Sequence, residues 1–308
     1  MEMVKMLKAI YKDVFCNTFN QSCYVFLCGG GEKEHIRNKV NALLKKEQFQ
    51  ILYPEELFME MLNRDKKSDL LEYENLLADN SDIICIICES IGSAVELGAF
   101  IQNENIKKKM VVAVNQKYAR DKSFVMMGPV KNLKKTNEES IVFFKKDDLS
   151  ELCRSLSKVF RKLHKKSVSN KNQSFDNLSA YIAFIPMVVY FYQTISRRTL
   201  HKNLKIFLKE REQDCFPARY NELFNASIKY LIKSGTLITE FSIEEKDETL
   251  SLSLKGYEET LGQIKRSSTS NRIPSIFNIR KKRRLSATNK TILHDRIRCA
   301  ILKEQLNM

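Results

Sequence analysis

The residues with the most chemical promise sit in one run, Glu89-Ser90-Ile91-Gly92-Ser93-Ala94-Val95-Glu96-Leu97-Gly98-Ala99-Phe100, directly after the apolar segment 83–88. A small-residue turn at that point delivers the Glu96 carboxylate into the first turn of a helix, above the end of a strand, where ligands of α/β sheets are bound. The competing reading is structural, because Ser93-x-x-Glu96 is also the pattern of a capping box. Two further strand ends carry weaker signals. Cys28-Gly29-Gly30-Gly31-Glu32 offers backbone free of side chains, whose N–H groups can face a phosphate or a sugar, or which simply forms a tight turn. Tyr53-Pro54-Glu55-Glu56 reads as a ligand-facing strand end or as a proline-initiated helix start with favourable acids. Cys85-Ile-Ile-Cys88 stands alone as a CxxC inside an apolar strand, so it reads as core. The four histidines, His35, His164, His201 and His294, lie far apart in the sequence, and the spacing supports no metal site.

The elements that must position these residues alternate. Strands are expected over 23–28, 49–53, 83–88, 110–114 and 141–144, several of them apolar without alternation, as strands covered on both faces are. Ile36, Val40, Leu43 and Leu44 recur at helical spacing between the first two, and Leu70, Tyr73, Leu76 and Leu77 do so before the third. This rhythm is that of a parallel five-stranded α/β sheet with helical crossovers. At 308 residues the chain is long enough for about two domains. Its composition, 43% apolar and 29% charged, excludes disorder and collagen. The longest apolar stretch, 180–192, is too short for a membrane span and contains Pro186, so it is expected as a buried helix. The first fifteen residues alternate charged and apolar types, unlike a signal peptide, and the eight cysteines suit reduced thiols. A cytoplasmic protein without membrane contact is the expectation. A net charge of +15 favours a polyanionic partner.

The run Asp82-Ile-Ile-Cys-Ile-Ile-Cys-Glu-Ser-Ile-Gly-Ser-Ala-Val-Glu96-Leu-Gly-Ala-Phe100 resembles the signature of the nucleoside 2-deoxyribosyltransferase-like superfamily. Phe26-Leu-Cys-Gly-Gly30, Tyr53-Pro-Glu-Glu-Leu-Phe58, Glu74-Asn-Leu-Leu-Ala78, Asn103-Glu-Asn105 and Gly128-Pro-Val130 together resemble one branch of it. That branch comprises the ribosyltransferase and DNA-binding effectors of bacterial retrons of the Ec86 type, and the likeness extends to about residue 265. The resemblance implies a Rossmann-like domain in which Glu96 is the catalytic nucleophile. It implies a second acid at Glu74, where the classical enzymes carry Asp. Breaking an N-glycosidic bond passes through an oxocarbenium-like state, which a carboxylate beneath the ring stabilises or traps. Glu74 would orient the nucleophile or a sugar hydroxyl, while Gly29, Gly30, Tyr53, Ser90, Gly92 and Ser93 would hold sugar or phosphate. Some classical transferases have an acid at the position of Ser90, which separates this chain from base exchange between deoxyribosides. The implied substrate is NAD or a related nucleotide, with no resident cofactor, and the implied reaction is hydrolysis or ADP-ribosyl transfer.

After a polar linker, 166–176, the pattern changes. Helices are expected over 177–195, 197–212 and 217–234, followed by strands 236–242 and 249–254 around an acidic turn and by a helix over 256–265. Three helices and a two-stranded ribbon describe a winged helix-turn-helix whose third helix would present Arg219, Asn221 and Lys229 to nucleic acid. A protein-binding role is the competing reading, since the turn carries Glu244, Glu245, Asp247 and Glu248. The tail 266–308 holds eleven basic residues against two acidic ones, with Arg280, Lys281, Lys282, Arg283 and Arg284 contiguous. Such a block binds phosphate backbones without sequence preference and with steep salt dependence, or is a solvated charge run. The expected organisation is therefore a catalytic domain over 1–165, the linker, a winged-helix domain over 177–265 and a basic tail. The resemblance implies a toxin of a retron antiphage system, held in check by the retron reverse transcriptase and its branched RNA–DNA hybrid, msDNA, and assembled as a homo-oligomer or larger complex. A nucleotide sensor without activity and a winged-helix regulator are the alternatives.

Overall fold

Five short segments rich in Ile, Val, Phe and Cys have little polar surface to offer water, and the three central strands they form are almost wholly buried. The computed structural model describes residues 2–32, 34–46, 49–53, 80–167, 175–212, 216–217, 219–242, 247–267, 297 and 301. The chain divides into two compact units, Ser22–Asn172 and Met1–Gln21 with Gln173–Met308. Residues 1–21, expected within the first domain, thus pack with the C-terminal half. They form helices α1 (Glu2–Ile10) and α2 (Cys16–Gln21), joined by a π-helical turn, Tyr11–Phe15.

In the unit Ser22–Asn172, β1 (Tyr24–Cys28), β2 (Gln50–Leu52), β3 (Ile83–Cys88), β4 (Met110–Asn115) and β5 (Ile141–Phe144) pair in the order β2-β1-β3-β4-β5. All pairs are parallel, with Val25 opposite Ile83, Ile84 opposite Met110 and Val112 opposite Ile141. Helix α3 (Ile36–Lys46) crosses from β1 to β2 and buries Ile36, Val40 and Leu44, one residue per turn. The crossover expected around Leu70 to Leu77 and the acid Glu74 lie outside the described residues. After β3 come α4 (Ile91–Phe100) and the single turn α5 (Glu104–Lys107); α6 (Lys131–Thr136) precedes β5. Helix α7 (Leu149–Ser167) closes the unit, packing Leu152, Leu156, Phe160 and Leu163 with α3 and with Val25, Cys85, Ile87 and Val111 of the sheet. Burying side chains of this size contributes about 1.5–3 kcal/mol each.

The second unit continues with α8 (Leu178–Tyr192), β6 (Thr194–Ser196), α9 (Arg197–Glu212), α10 (Tyr220–Lys233), β7 (Leu237–Ser242), β8 (Asp247–Leu252) and α11 (Leu254–Ser267). Helix α8 is the apolar stretch expected to be buried, and all its residues but Ile182 are. Around it Tyr11, Phe15, Phe175 and Phe207 gather on Phe184, with Phe15 edge-on at 5.2 Å and Phe207 stacked at 5.9 Å. Those contacts, an ion pair between Lys8 and Glu210 at 2.7 Å and Arg211 at 4.5 Å over the Tyr11 ring explain why the N-terminal helices belong here. Among the described residues, no helix is long and apolar enough to cross a membrane.

The first helix ends earlier than its pattern predicts. Gln193 adopts φ 65°, a left-handed conformation that breaks α8, and the next three residues form β6. The small sheet therefore has three antiparallel strands, β6-β8-β7, rather than a two-stranded ribbon. Asp247, from the acidic turn, accepts hydrogen bonds from the Ser196 hydroxyl and, at 3.1 Å, from the Arg198 N–H, so it holds the start of α9. Slight desolvation pushes its carboxyl up, but these bonds and the Glu248 N–H outweigh it and leave the group below its ordinary value. Its contribution is complete at neutral pH and is lost as the pH falls through that lowered value.

Gly256, at the start of α11, approaches the turn before β7 closely: a Cβ there would lie 2.0 Å from the Thr236 carbonyl oxygen. Because the obstructing atom is backbone, Gly256→Ala is expected to destabilise the second unit by about 1–3 kcal/mol. A lowered thermal midpoint by circular dichroism checks this, and an unchanged midpoint would refute it.

Candidate functional site

The carboxyl ends of β1 and β3 are joined through one side chain. Glu89, the residue after β3, accepts the Ile36 N–H at 2.6 Å on Oε2 and the N–H groups of Arg37 and Gly30 at 3.0 and 3.3 Å on Oε1. An anion at the N-terminus of α3 is favourable, and charge-assisted bonds of this kind are the strong ones. Gly29 has φ 156°, and a Cβ there would lie 3.1 Å from Arg37 Cβ and 3.2 Å from Glu89 Oε1. Glu89 thus takes one N–H of the glycine run, that of Gly30, together with two from the start of α3. At the end of β2, the Tyr53 hydroxyl accepts from Asn41 Nδ2 at 2.5 Å and donates to Asn38 Oδ1 at 3.2 Å, and the Arg37 guanidinium lies 4.8 Å from its ring centre. Both partners come from α3, so Tyr53 belongs to the same frame.

The start of α4 decides which serine caps it. Ser90 is the N-cap, with φ −135° and ψ 165°, and its Oγ accepts the Ser93 N–H at 3.2 Å. Ser93 Oγ reciprocates, accepting the N–H groups of Ser90 at 3.1 Å and Glu89 at 3.2 Å. The capping box is therefore Ser90–Ser93, not Ser93–Glu96, because the helix begins three residues earlier than the alternative requires. Glu96 lies on the second turn, half-buried, and is released from capping. Its negative charge reaches Cys88 at the end of β3. Burial first and that charge second push the Cys88 thiol up to about 12, and burial also raises Cys85. Both thiols stay protonated at neutral pH, as expected of core cysteines. Gly92 is exposed on the first turn of α4.

A cleft of about 540 Å³ opens at the ends of β3, β4 and β5. Cys88, Ser90 and Ala94 line it from the β3–α4 turn, Val114, Met126 and Phe144 supply apolar surface, and Asn115, Tyr118, Asp121 and Lys146 are among its polar groups. Of the expected site residues, Ser90 lines the cleft; Glu96 is not among the described lining residues, but its charge acts on Cys88, which is. The polar groups after β4 and β5 are additions to the sequence reading. The signal for them was present, since they follow strands as Glu89 does, and Asn115 closes its turn by accepting the Lys117 N–H at 3.0 Å.

On the second unit, Arg219 donates from Nε to Glu222 at 2.7 Å, and Asn221 Oδ1 lies 2.9 Å from His201 Nε2. Lys229 is exposed on α10. Arg197 pairs with Glu248 at 2.5 Å and with Asn225 at 2.9 Å, so both described acids of the turn have internal partners. The basic block 280–284 and the acids Glu244 and Glu245 lie outside the described residues.

Residues 33–239 match the model of the STM3845 retron effector protein family. The chain belongs to that family. The "Retron Ec86 putative ribosyltransferase/DNA-binding protein" of Escherichia coli is 32% identical over 210 residues, covering 64% of this chain and 68% of that protein. The corresponding protein of retron Ec73, also from Escherichia coli, is 31% identical over 129 residues, or 39% and 41% of the two chains. In this retron effector the family match begins just after the glycine run and spans β2 to β5 with the capped start of α4 and, in the second unit, α8, β6, α9, α10 and the first residues of β7.

If Glu96 charges the surroundings of Cys88, neutralising it lowers the thiol pKa and raises the thiolate fraction at any given pH. Alkylation of Cys88 by iodoacetamide at about pH 9, followed by peptide mass mapping, is expected to be faster in Glu96→Gln than in the wild type. An equal or slower rate would place Glu96 away from Cys88.

Proposed function

We propose that this retron effector is a toxin that breaks the N-glycosidic bond of NAD or a related nucleotide, with Glu96 as nucleophile. The observation that carries the reading is the Ser90–Ser93 cap, which leaves Glu96 on the second turn of α4, beside a residue that lines the cleft. The names of the Ec86 and Ec73 relatives, ribosyltransferase and DNA-binding protein, support the reaction class.

In this account the Glu96 carboxylate meets the anomeric carbon as the glycosidic bond lengthens, and the bond's electron pair leaves on the base. For NAD the leaving group is neutral nicotinamide, so its departure needs no proton from the protein. A water or an acceptor then takes the ribosyl group and releases Glu96, giving hydrolysis or transfer. Ser90, Asn115 and Tyr118 hold sugar hydroxyls, the apolar surface of Val114, Met126 and Phe144 receives the base, and Lys146 faces a phosphate. Glu74 would orient the nucleophile.

The run α8-β6-α9-α10-β7-β8 within the second unit supports reading it as a winged helix-turn-helix, with α10 as the helix that would enter a groove. Because Asp247 and Glu248 serve α9, the acids of the turn are compatible with a nucleic acid beside it. This unit and the basic tail would dock on the reverse transcriptase and msDNA, which restrain the toxin. A non-enzymatic nucleotide sensor or a winged-helix regulator is the alternative, and an operator footprint would favour the latter.

Expressed alone, the wild type is expected to arrest growth, Glu96→Gln is not, and the cognate reverse transcriptase with its RNA is expected to relieve the arrest. Equal toxicity of the two forms would reject a role for Glu96. Binding to branched RNA–DNA is expected to fall steeply as salt rises, by fluorescence anisotropy from about 50 to 200 mM, and a flat response would remove its electrostatic basis.

A further inference from the structure

At the opposite edge of the parallel sheet from the cleft, three residues remote in sequence converge. Cys23 immediately precedes β1, Asp82 immediately precedes β3, and His164 lies in the last turns of α7. A cysteine sulfur, a carboxylate oxygen and an imidazole nitrogen of these residues all lie within 4.8 Å of one another, and Asp82 Oδ2 is 3.9 Å from His164 Nδ1. We propose that Cys23, Asp82 and His164 form a zinc site.

The chemistry of the donor set supports zinc. Thiolate and imidazole favour it over magnesium or calcium, which take oxygen ligands alone. Around a tetrahedral zinc, such ligand atoms lie about 3.3–3.7 Å apart, so the cluster needs a contraction of at most about 1.5 Å. Its orientation is largely set in advance. Asp82 Oδ2 accepts the Tyr24 N–H at 2.8 Å, which fixes the carboxylate as second-sphere bonds do at metal centres. Cys23 is held by the chain entering β1, where its carbonyl accepts the Gln50 N–H at 2.9 Å. Cys23 is 5% exposed, while the side chains of Asp82 and His164 are 8% and 15% exposed, and a water would serve as the fourth ligand. Zinc there would pin α7 to the starts of two adjacent strands. Binding displaces the thiol proton, so it weakens as the pH falls. The site is independent of the N-glycosidic reading, because it lies a strand's length from the cleft.

The test uses the full chain, stripped with a chelator, loaded with one equivalent of Zn²⁺ and desalted. The wild type is expected to retain about one zinc per chain by elemental analysis and to melt several degrees higher than the stripped protein. Cys23→Ser and His164→Gln are each expected to lose the metal and the shift while keeping the wild-type circular dichroism. Co²⁺ loaded into the wild type is expected to show a thiolate charge-transfer band in the near ultraviolet, which Cys23→Ser removes. That readout needs no folded His164 variant. A wild type that retains no zinc, or retention and cobalt spectra unchanged in Cys23→Ser, would overturn the proposal and leave the three residues as a packing cluster.

Discussion

The first unit depends on a single carboxylate. Glu89 gathers the N–H groups of Gly30, Ile36 and Arg37, and so joins the end of β3 to the loop after β1 and to the start of α3. Without it, three backbone donors at the sheet's functional edge would need another partner, and leaving such a group buried and unmet costs about 1–3 kcal/mol. The next residue, Ser90, begins α4, so the same short turn fixes two helices against one strand end. The position of Glu96 on the second turn of α4 follows from that short turn and from the Ser90–Ser93 cap.

This arrangement explains why a glycine run after β1 need not be a phosphate cradle. The close approach that demands Gly29 is to Arg37 and Glu89, both from this chain. The cleft lies instead at the ends of β3, β4 and β5, where Asn115, Tyr118 and Lys146 are among its lining residues. On the second unit a similar economy operates, since Asp247 caps α9 and Glu248 pairs with Arg197. Asp247 and Glu248, which look hostile to nucleic acid in the sequence, have partners within the unit.

Much of the sheet was legible because its strands carry a two-sided apolar pattern. The segments 83–88 and 141–144 have the bounds expected from composition alone. Helix α8 was legible for the same reason, although its end was not, because only backbone conformation shows that Gln193 breaks it. The N-terminal helices were misassigned because their partners, Phe184, Phe207 and Glu210, lie nearly two hundred residues away. Ser93-x-x-Glu96 was ambiguous in the sequence because the pattern does not say where a helix begins. The cluster of Cys23, Asp82 and His164 has no local spacing at all, since it is assembled by strand order and by the packing of α7.

The central claim is that Glu96 performs chemistry rather than holding a helix. Purified wild type and Glu96→Gln, incubated with NAD and a panel of deoxynucleosides and nucleotides, separate the two by liquid chromatography of released base, with thermal melting alongside. The account predicts nicotinamide or nucleobase release by the wild type, none by Glu96→Gln, and nearly equal melting temperatures. Release undiminished in Glu96→Gln, or no release by the wild type from any substrate with and without msDNA, would contradict it.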